Sequence, residues 1–429
     1  MGQLVVEGGR RLVGTVRVGG AKNAALPLLA ACILAEGPVT LDNVPLGLRD
    51  VRLMIQILTV MGVRTQVLGR STLLVDASGP ISSEVPDELM SQMRASLFLT
   101  GPLLARTGRA VVSRPGGCDI GERPIDLHLK GLHALGAGFD DAPSGRIVAA
   151  VRGSLHGSHV YLDFPSVGAT ENIMMAAVAA AGETVIENAS REPEVVDLAQ
   201  FLFQMGADIA GAGTDTIRVK GARPLTPSNH QIIPDRIEAG TFAIAAALTG
   251  GDVELTGVLP EHLTPLWRKF DDMGIGVDFV PGSDRIRIQT QAGGLKRPCS
   301  IRTGPHPGFP TDLQPQMAVL MTQAEGSSTL VETVFENRLR YLGDLRRMGA
   351  RILTDGHMAV IHGPVQLVGS SVTATDLRAG AALVLAGLVA EGETRVDGLE
   401  VIERGYECLS ERLGALGAAA VPSVEDPVA

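Results

Sequence analysis

This 429-residue chain has no surplus of positive charge: 37 lysines and arginines face 47 aspartates and glutamates, a formal net charge of −10. Phosphate backbones and anionic membrane surfaces are held by basic faces, so neither a nucleic-acid nor a membrane partner is expected. Long hydrophobic runs are missing too. No stretch reaches the roughly 20 apolar residues that span a bilayer, and the N-terminus lacks the charged-then-apolar pattern of a secretion signal, so the expected location is the cytosol. Cysteine is scarce: Cys32, Cys118, Cys299 and Cys408 have no CxxC spacing and no histidines at metal-ligand intervals, which indicates neither a disulfide framework nor a zinc site.

What is present is repetition. Six times an Ala-rich or otherwise apolar helix-like run ends at a glycine, at Gly37, Gly108, Gly182, Gly251, Gly326 and Gly392. A β-like triplet follows each, and about two dozen residues later comes a Met-Gly or Leu-Gly pair, at Gly62, Gly136, Gly206, Gly274, Gly349 and Gly417. Successive pair glycines are 74, 70, 68, 75 and 68 residues apart, self-similarity at a domain-building period.

Each unit has a physical reading. Runs such as AALPLLAACILAEG and AGAALVLAGLVAEG have no polar face, so they suit helices surrounded by protein. The glycine that stops the run is expected to supply a left-handed C-terminal cap. The β-branched residues that follow (PVTL, ETVI, ETRV) suit short strands, and a second helix ends near each glycine pair. Six such units, first helices inward and sheets outward, predict an α/β protein of two three-unit domains. Their expected limits are 21–229, carrying the Cys118 loop, and 1–20 plus 230–429. Two chain crossings then lie near Gly19 to Lys22 and Pro227 to His230, which predicts a hinge and an active site in the cleft between the domains.

Three features carry chemistry. Cys118 sits in SRPGGCDIGERPIDLH, where Pro115, Gly116, Gly117 and Gly121 forbid a regular helix or central strand. With Arg114 and Arg123 nearby, its thiol is expected to be acidic enough for proton transfer. Lys22, Arg236 and Arg378 fall at the starts of three buried helices, where the helix dipole disfavours cations. An anion shared between such a cation and the free N–H groups would offset the cost, which points to a polyanionic substrate. Asp312, beside Thr311 as a plausible N-cap, complements a helix dipole and is also able to accept a hydroxyl proton.

The motifs GGAKNAALP, MRASLFLTGPLLAR, RPGGCDIGERPIDLH, SVGATENIM, REPEVVDLA, PDRIEAGTF, FPTDLQPQ, ETVFENR, DLRAGAALVLAG and ERGYE resemble, in order and over essentially the whole chain, the UDP-N-acetylglucosamine 1-carboxyvinyltransferases (MurA) of the enolpyruvyl transferase family. The resemblance implies a fold of two inside-out α/β barrels with threefold pseudo-symmetry. It implies transfer of the enolpyruvyl group of phosphoenolpyruvate to the 3′-hydroxyl of UDP-N-acetylglucosamine, with release of phosphate, as the committed step of peptidoglycan precursor synthesis. No metal or organic cofactor is implied. Carried over by motif, Cys118 would be the general acid, alkylated by fosfomycin in this family, and Asp312 the base near the sugar hydroxyl. Lys22, Arg123 and Arg404 would bind phosphoenolpyruvate, with Arg94 and Arg378 completing its cationic surroundings. Asn23, Pro124, Ile125, Asp126, Leu127, Ser166, Val167, Gly168 and Val334 would hold the nucleotide sugar, whose binding is expected to order roughly residues 113 to 123.

One position departs from the pattern: some family members carry Lys where this chain has Phe164, so a diphosphate contact there is lost, and Arg123 or the backbone N–H groups of Ser166 to Gly168 are the expected substitutes. Competing readings are the related 3-phosphoshikimate 1-carboxyvinyltransferases, which lack a PGGC loop, an RNA-terminal cyclase, which would want a basic groove, and a silent sugar-binding paralogue, which should have lost the thiol or the carboxylate.

Overall fold

A computed structural model describes residues 2–90, 92, 94–113, 120–121, 124–141, 145–221, 224–279, 282–290 and 297–423. The chain forms two compact units, one of Met1–Gly19, Cys118–Glu122 and Pro234–Ala429, the other of Gly20–Gly117 and Arg123–Ile233. Within the short stretch 118–122 the described residues are Ile120 and Gly121. Asn337 N–H donates to the Ile120 carbonyl at 3.1 Å, and the Glu336 carboxylate approaches Gly121 so closely that a Cβ there would lie 2.4 Å from it.

Each unit contains three separate sheets, which among the described residues do not close on one another. In the unit containing the N-terminus, the strand Asp252–Thr256 pairs in parallel with Val13–Arg17 and antiparallel with Arg285–Gln289, which continues to Val277–Phe279. The other sheets repeat this order of one parallel neighbour and then an antiparallel pair, as Gly326–Val331 does with Ser300–Arg302 and Met358–Gly363. Where the sheet built on Arg109–Ser113 has three strands, the parallel neighbour is reduced to an isolated bridge between Glu84 and Val111. The sixth sheet borrows its member from the start of the chain: Gln3–Glu7 lies between Glu393–Asp397 and Ala419–Ser423.

The central helices follow from composition. Arg378 through Leu388 are all buried in the helix Leu377–Val389, as are Ile237 through Leu248 in Arg236–Leu248. A helix with no polar face has no side to present to water, and each fully buried Leu is worth about 1.5–3 kcal/mol relative to exposure. Arg236–Leu248, Gln314–Thr322 and Leu377–Val389 therefore pack on one another and each on its own sheet; Lys22–Ala31, Thr100–Thr107 and Val167–Ala177 form the corresponding core of the other unit. The second helices, such as Thr264–Met273, are amphipathic and half exposed.

The pair glycines explain the repeat. All six have positive φ, from 77° at Gly274 to 105° at Gly206, a conformation other residues avoid, so a glycine recurs wherever a second helix turns into its strand. The stop glycines obey the same rule at Gly108, Gly182, Gly326 and Gly392 but not at Gly37 and Gly251. Those two are required by close approach instead: a Cβ would lie 2.6 Å from Pro227 Cγ and 2.7 Å from the Leu12 carbonyl oxygen.

One buried group opposes this packing. Glu171, in the helix Val167–Ala177, is fully buried and both carboxyl oxygens lack a hydrogen-bond partner. Burial, reinforced by Glu194 and Glu192, pushes its carboxyl well above the usual range. The folded protein thus holds this proton to higher pH than the unfolded chain does, and stability falls as pH rises above the unfolded carboxyl's range. Glu171→Met is expected to be more stable than the parent at pH 8 by about 1–3 kcal/mol, with the advantage narrowing in acid. Urea unfolding at pH 8 and pH 4 checks this, and an advantage that does not change with pH would rule out the titration.

Candidate active site

The unit containing the N-terminus builds one charged cluster. Glu332, buried just past the strand Gly326–Val331, accepts from Thr303 Oγ1 (2.9 Å), Val334 N (2.8 Å) and Phe335 N (3.2 Å) through one oxygen, and from Thr311 Oγ1 (3.0 Å) through the other. Thr311 is not a helix cap, contrary to the sequence expectation: it is the first residue of the 3-10 turn, Pro310 and Leu313 stand at the N-cap positions, and neither side chain accepts from the helix N–H groups there. Glu332 thus ties the turn carrying Val334 to the short 3-10 turn Thr311–Leu313 that carries Asp312.

Asp312 lies between two buried guanidinium groups. Arg338 Nη2 donates to Oδ1 at 3.1 Å and Arg378 Nε donates to Oδ2 at 3.3 Å. Asp376 caps the helix of Arg378, accepting from Arg378 N (2.8 Å) and Ala379 N (3.1 Å), and its carboxylate is 4.0 Å from Arg338. Burial works against the charge on Arg378, but Tyr406, Asp312 and Asp235 outweigh it, and its pKa is held above the ordinary arginine value. Arg378 Nη2 lies 3.2 Å from the same Oδ2 without an aligned hydrogen bond, and Nη1, like Arg338 Nε, is buried with no hydrogen-bond acceptor. Buried donors in native folds are nearly always satisfied, so unfilled guanidinium nitrogens fit an anion that binds here. Arg404 lies half-buried in the turn after the helix Leu399–Ile402. The next residue, Gly405, runs so near Arg378 that a Cβ would be 3.5 Å from Nη1.

The idea of cations sharing an anion with free helix N–H groups is corrected at two of its three positions. Asp235 accepts from Ile237 N and Glu238 N, and Asp376 does the same in its helix, because aspartate is among the preferred N-caps. Of the three, the helix Lys22–Ala31 alone lacks a side-chain cap, its N-cap being Ala21. Lys22 itself is buried and 3.6 Å from Asp50 of the next helix, a partner that no local pattern signals. Asn23 follows it, half-buried in the first turn.

A second group forms in the same unit as Lys22. Pro124 and Ile125 lead into the helix Asp126–Ala134, which begins with Asp126 and Leu127; Ser166 caps Val167–Ala177, accepting from Ala169 N at 3.3 Å. The two helix starts touch through His128: a Cβ on Gly168 would lie 3.1 Å from its Cε1 and 3.2 Å from its Nε2. Gly101 N donates to Asn172 Oδ1 (2.6 Å), which directs Asn172 Nδ2 to Leu97 O (3.0 Å) and His128 Nδ1 (3.1 Å). His128 Nδ1 therefore accepts, and its hydrogen sits on Nε2, beside Gly168. Phe164 is exposed, and its carbonyl already takes the Ser166 N–H at 2.7 Å, which removes that group from the expected diphosphate substitutes. The nearby cation Lys130 pairs with Asp163 at 2.6 Å. Cys118, Arg114, Arg123 and most of the stretch 113–123 lie outside the described residues, as does the side chain of Arg94.

A family model described as EPSP synthase (3-phosphoshikimate 1-carboxyvinyltransferase) matches residues 6–413. Over 418 residues the chain is 50% identical to UDP-N-acetylglucosamine 1-carboxyvinyltransferase 2 of Carboxydothermus hydrogenoformans, covering 97% of this chain and 98% of that one. It is 51% identical over 419 residues to UDP-N-acetylglucosamine 1-carboxyvinyltransferase 1 of Halalkalibacterium halodurans, covering 97% and 94%. This chain belongs to the enolpyruvyl transferase family. Among solved structures, the enolpyruvyl transferase NikO from Streptomyces tendae superposes with a TM-score of 0.90 at 28% identity, covering 98% of this chain and 99% of that one. EPSP synthase from Acinetobacter baumannii shares the fold, with a TM-score of 0.77 at 20% identity over 99% and 100% of the two chains. The six-unit architecture is thus the enolpyruvyl transferase fold.

Asp312 has a structural part in this family member, since it is the carboxylate that two buried guanidinium groups share. Asp312→Ala is expected to lose roughly 3 kcal/mol, the cost of leaving buried charge uncompensated, and Asp312→Asn less. Urea denaturation measures both, and an alanine variant as stable as the parent would mean that the pairs contribute nothing to the fold.

Proposed function

We propose that this chain transfers the enolpyruvyl group of phosphoenolpyruvate to the 3′-hydroxyl of UDP-N-acetylglucosamine, releasing phosphate, as the committed step of peptidoglycan precursor synthesis in the cytosol. One observation carries the reading: 50–51% identity, over 97% of the chain, to two proteins named for that reaction. The absence, among the described residues, of any helix long and apolar enough to cross a membrane is compatible with it.

Arg378 and Arg404, with Lys22, Arg123 and Arg94, hold the carboxylate and phosphate of the donor; the buried, unfilled Nη1 of Arg378 supports that role. Asn23, Pro124 to Leu127, Ser166 to Gly168 and Val334 hold the nucleotide sugar. Asp312 takes the proton of the 3′-hydroxyl as its oxygen bonds to C2 of the donor, and Cys118 gives a proton to C3. Loss of a proton from C3 and cleavage of the C2–O bond to phosphate then restore the alkene.

Because the matching family model is named for a different acceptor, the acceptor is the point to test. Phosphate release is expected only when phosphoenolpyruvate and UDP-N-acetylglucosamine are both present; release with 3-phosphoshikimate instead would assign the chain to the other branch. A further expectation concerns Cys118. Cys118→Ala should nearly abolish transfer, while Cys118→Asp keeps a proton donor and should stay active yet resist fosfomycin, since a carboxylate is a poor nucleophile toward an epoxide. Mass spectrometry locates the adduct on the parent enzyme, and labelling at Cys32, Cys299 or Cys408 would remove Cys118 from the mechanism.

A further inference from the structure

Arg378 raises a mechanical problem. Its side chain emerges from the second residue of a helix and is almost fully buried, and one edge, Nε at 3.3 Å and Nη2 at 3.2 Å, meets a single oxygen of Asp312. A guanidinium held along one edge by one oxygen can still tilt about that contact, and a tilt would move Nη1 away from a ligand. Planar, two-pronged recognition of an anion requires the plane to be fixed.

The second restraint is a ring. The guanidinium carbon of Arg378 lies 5.1 Å from the centre of the Tyr406 ring, within reach of the attraction between a cation and an aromatic face. Tyr406 is itself fixed at its far end. Thr241 spends its hydrogen on the Ile237 carbonyl at 2.8 Å, so its oxygen accepts from the Tyr406 hydroxyl at 3.0 Å. Gln316 Nε2 donates to both hydroxyl oxygens, at 2.8 Å to Tyr406 and 3.1 Å to Thr241. Thr241 and Gln316 belong to the two central helices neighbouring that of Arg378, so the hydroxyl of Tyr406 is pinned where three helices meet. Burial pushes its phenol above the ordinary range, against the pull of Arg378 and Thr241, which keeps the donor protonated. Gly405 lets the turn press down: a Cβ there would lie 2.1 Å from Leu377 Cδ1.

We propose that Tyr406 is a positioning residue for the anionic donor: its ring sets the plane of the Arg378 guanidinium, and the Thr241–Gln316 pair sets the plane of the ring. The inference rests on the reading of Arg378 as a ligand of phosphoenolpyruvate. Tyr406 acts through Arg378 and has no contact with the reacting atoms in this scheme.

The experiment measures phosphoenolpyruvate binding to the full-length protein by calorimetry, together with the KM for each substrate and the thermal midpoint. Tyr406→Phe keeps the ring and frees its plane; Thr241→Val removes the acceptor without touching the tyrosine; Tyr406→Leu removes the face. Phosphoenolpyruvate binding is expected to weaken on the order of tenfold in the first two and further in Tyr406→Leu. The KM for UDP-N-acetylglucosamine should stay within about twofold, because a local change leaves distant, independent contacts alone. The decisive arm repeats Tyr406→Phe in an Arg378→Met background, where it should cost nothing more. Equal losses with and without Arg378, equal losses for both substrates, or unchanged donor binding in Tyr406→Phe and Thr241→Val would each overturn the proposal, as would a parent protein that does not bind phosphoenolpyruvate. A parent that binds phosphoenolpyruvate but releases no phosphate with UDP-N-acetylglucosamine would overturn the reaction assigned above, while the binding comparison would still decide the role of Tyr406.

Discussion

The constraint on which the rest depends is that the first helices of the repeats, Thr100–Thr107 excepted, have no side for water. A helix such as Leu377–Val389, apolar around its whole circumference, is stable only when other helices and a sheet cover it. Three such helices cover one another and need three sheets outside them, so neither one repeat nor two can form a closed core. Length, repeat number and the division into two units all follow from that requirement.

The same arrangement creates the chemistry. Helices that converge bring their N-termini together, and side chains at those ends are the ones polar groups reach without crossing the apolar core. Asp235, Asp312, Arg378 and Asp376 all stand at or just before such starts. Thr241 and Gln316 lie within the first two turns of their helices and are linked by a hydrogen bond. The desolvation that would make a lone arginine costly at this end is offset by a shared carboxylate and an aromatic face.

The repeat was legible in the sequence because its landmarks are imposed by the backbone. A left-handed turn admits glycine almost alone, so Gly62, Gly136, Gly206, Gly274, Gly349 and Gly417 mark the same event six times. Charged positions such as Lys22, Asp312 and Arg378 stood out because they sit in otherwise apolar or turn-rich runs. Their partners did not. Asp50 looks like an ordinary first-turn acid, Arg338 and Glu332 are unremarkable in ETVFENR, and nothing local tells that Tyr406 meets Gln316, 90 residues earlier. The partner of Thr311 is equally hidden, since Glu332 lies 21 residues on. Three-residue strands such as Asn229–Gln231 and Ser371–Thr373 are too short for any periodicity to show.

The strand Gln3–Glu7 has a consequence in time. Its pairing with Glu393–Asp397 joins residues 394 apart in sequence, and its other edge is covered by Ala419–Ser423. On a growing chain both of its neighbours are made long after this strand. The unit spanning Gly20 to Ile233 draws nearly all of its sequence from a block completed well before that, so it can form its core while the opening strand is still waiting. Until Glu393–Asp397 and Ala419–Ser423 emerge, the growing chain therefore carries one strand with two unsatisfied edges, and its sheet cannot be completed before the sequence of the other unit is made.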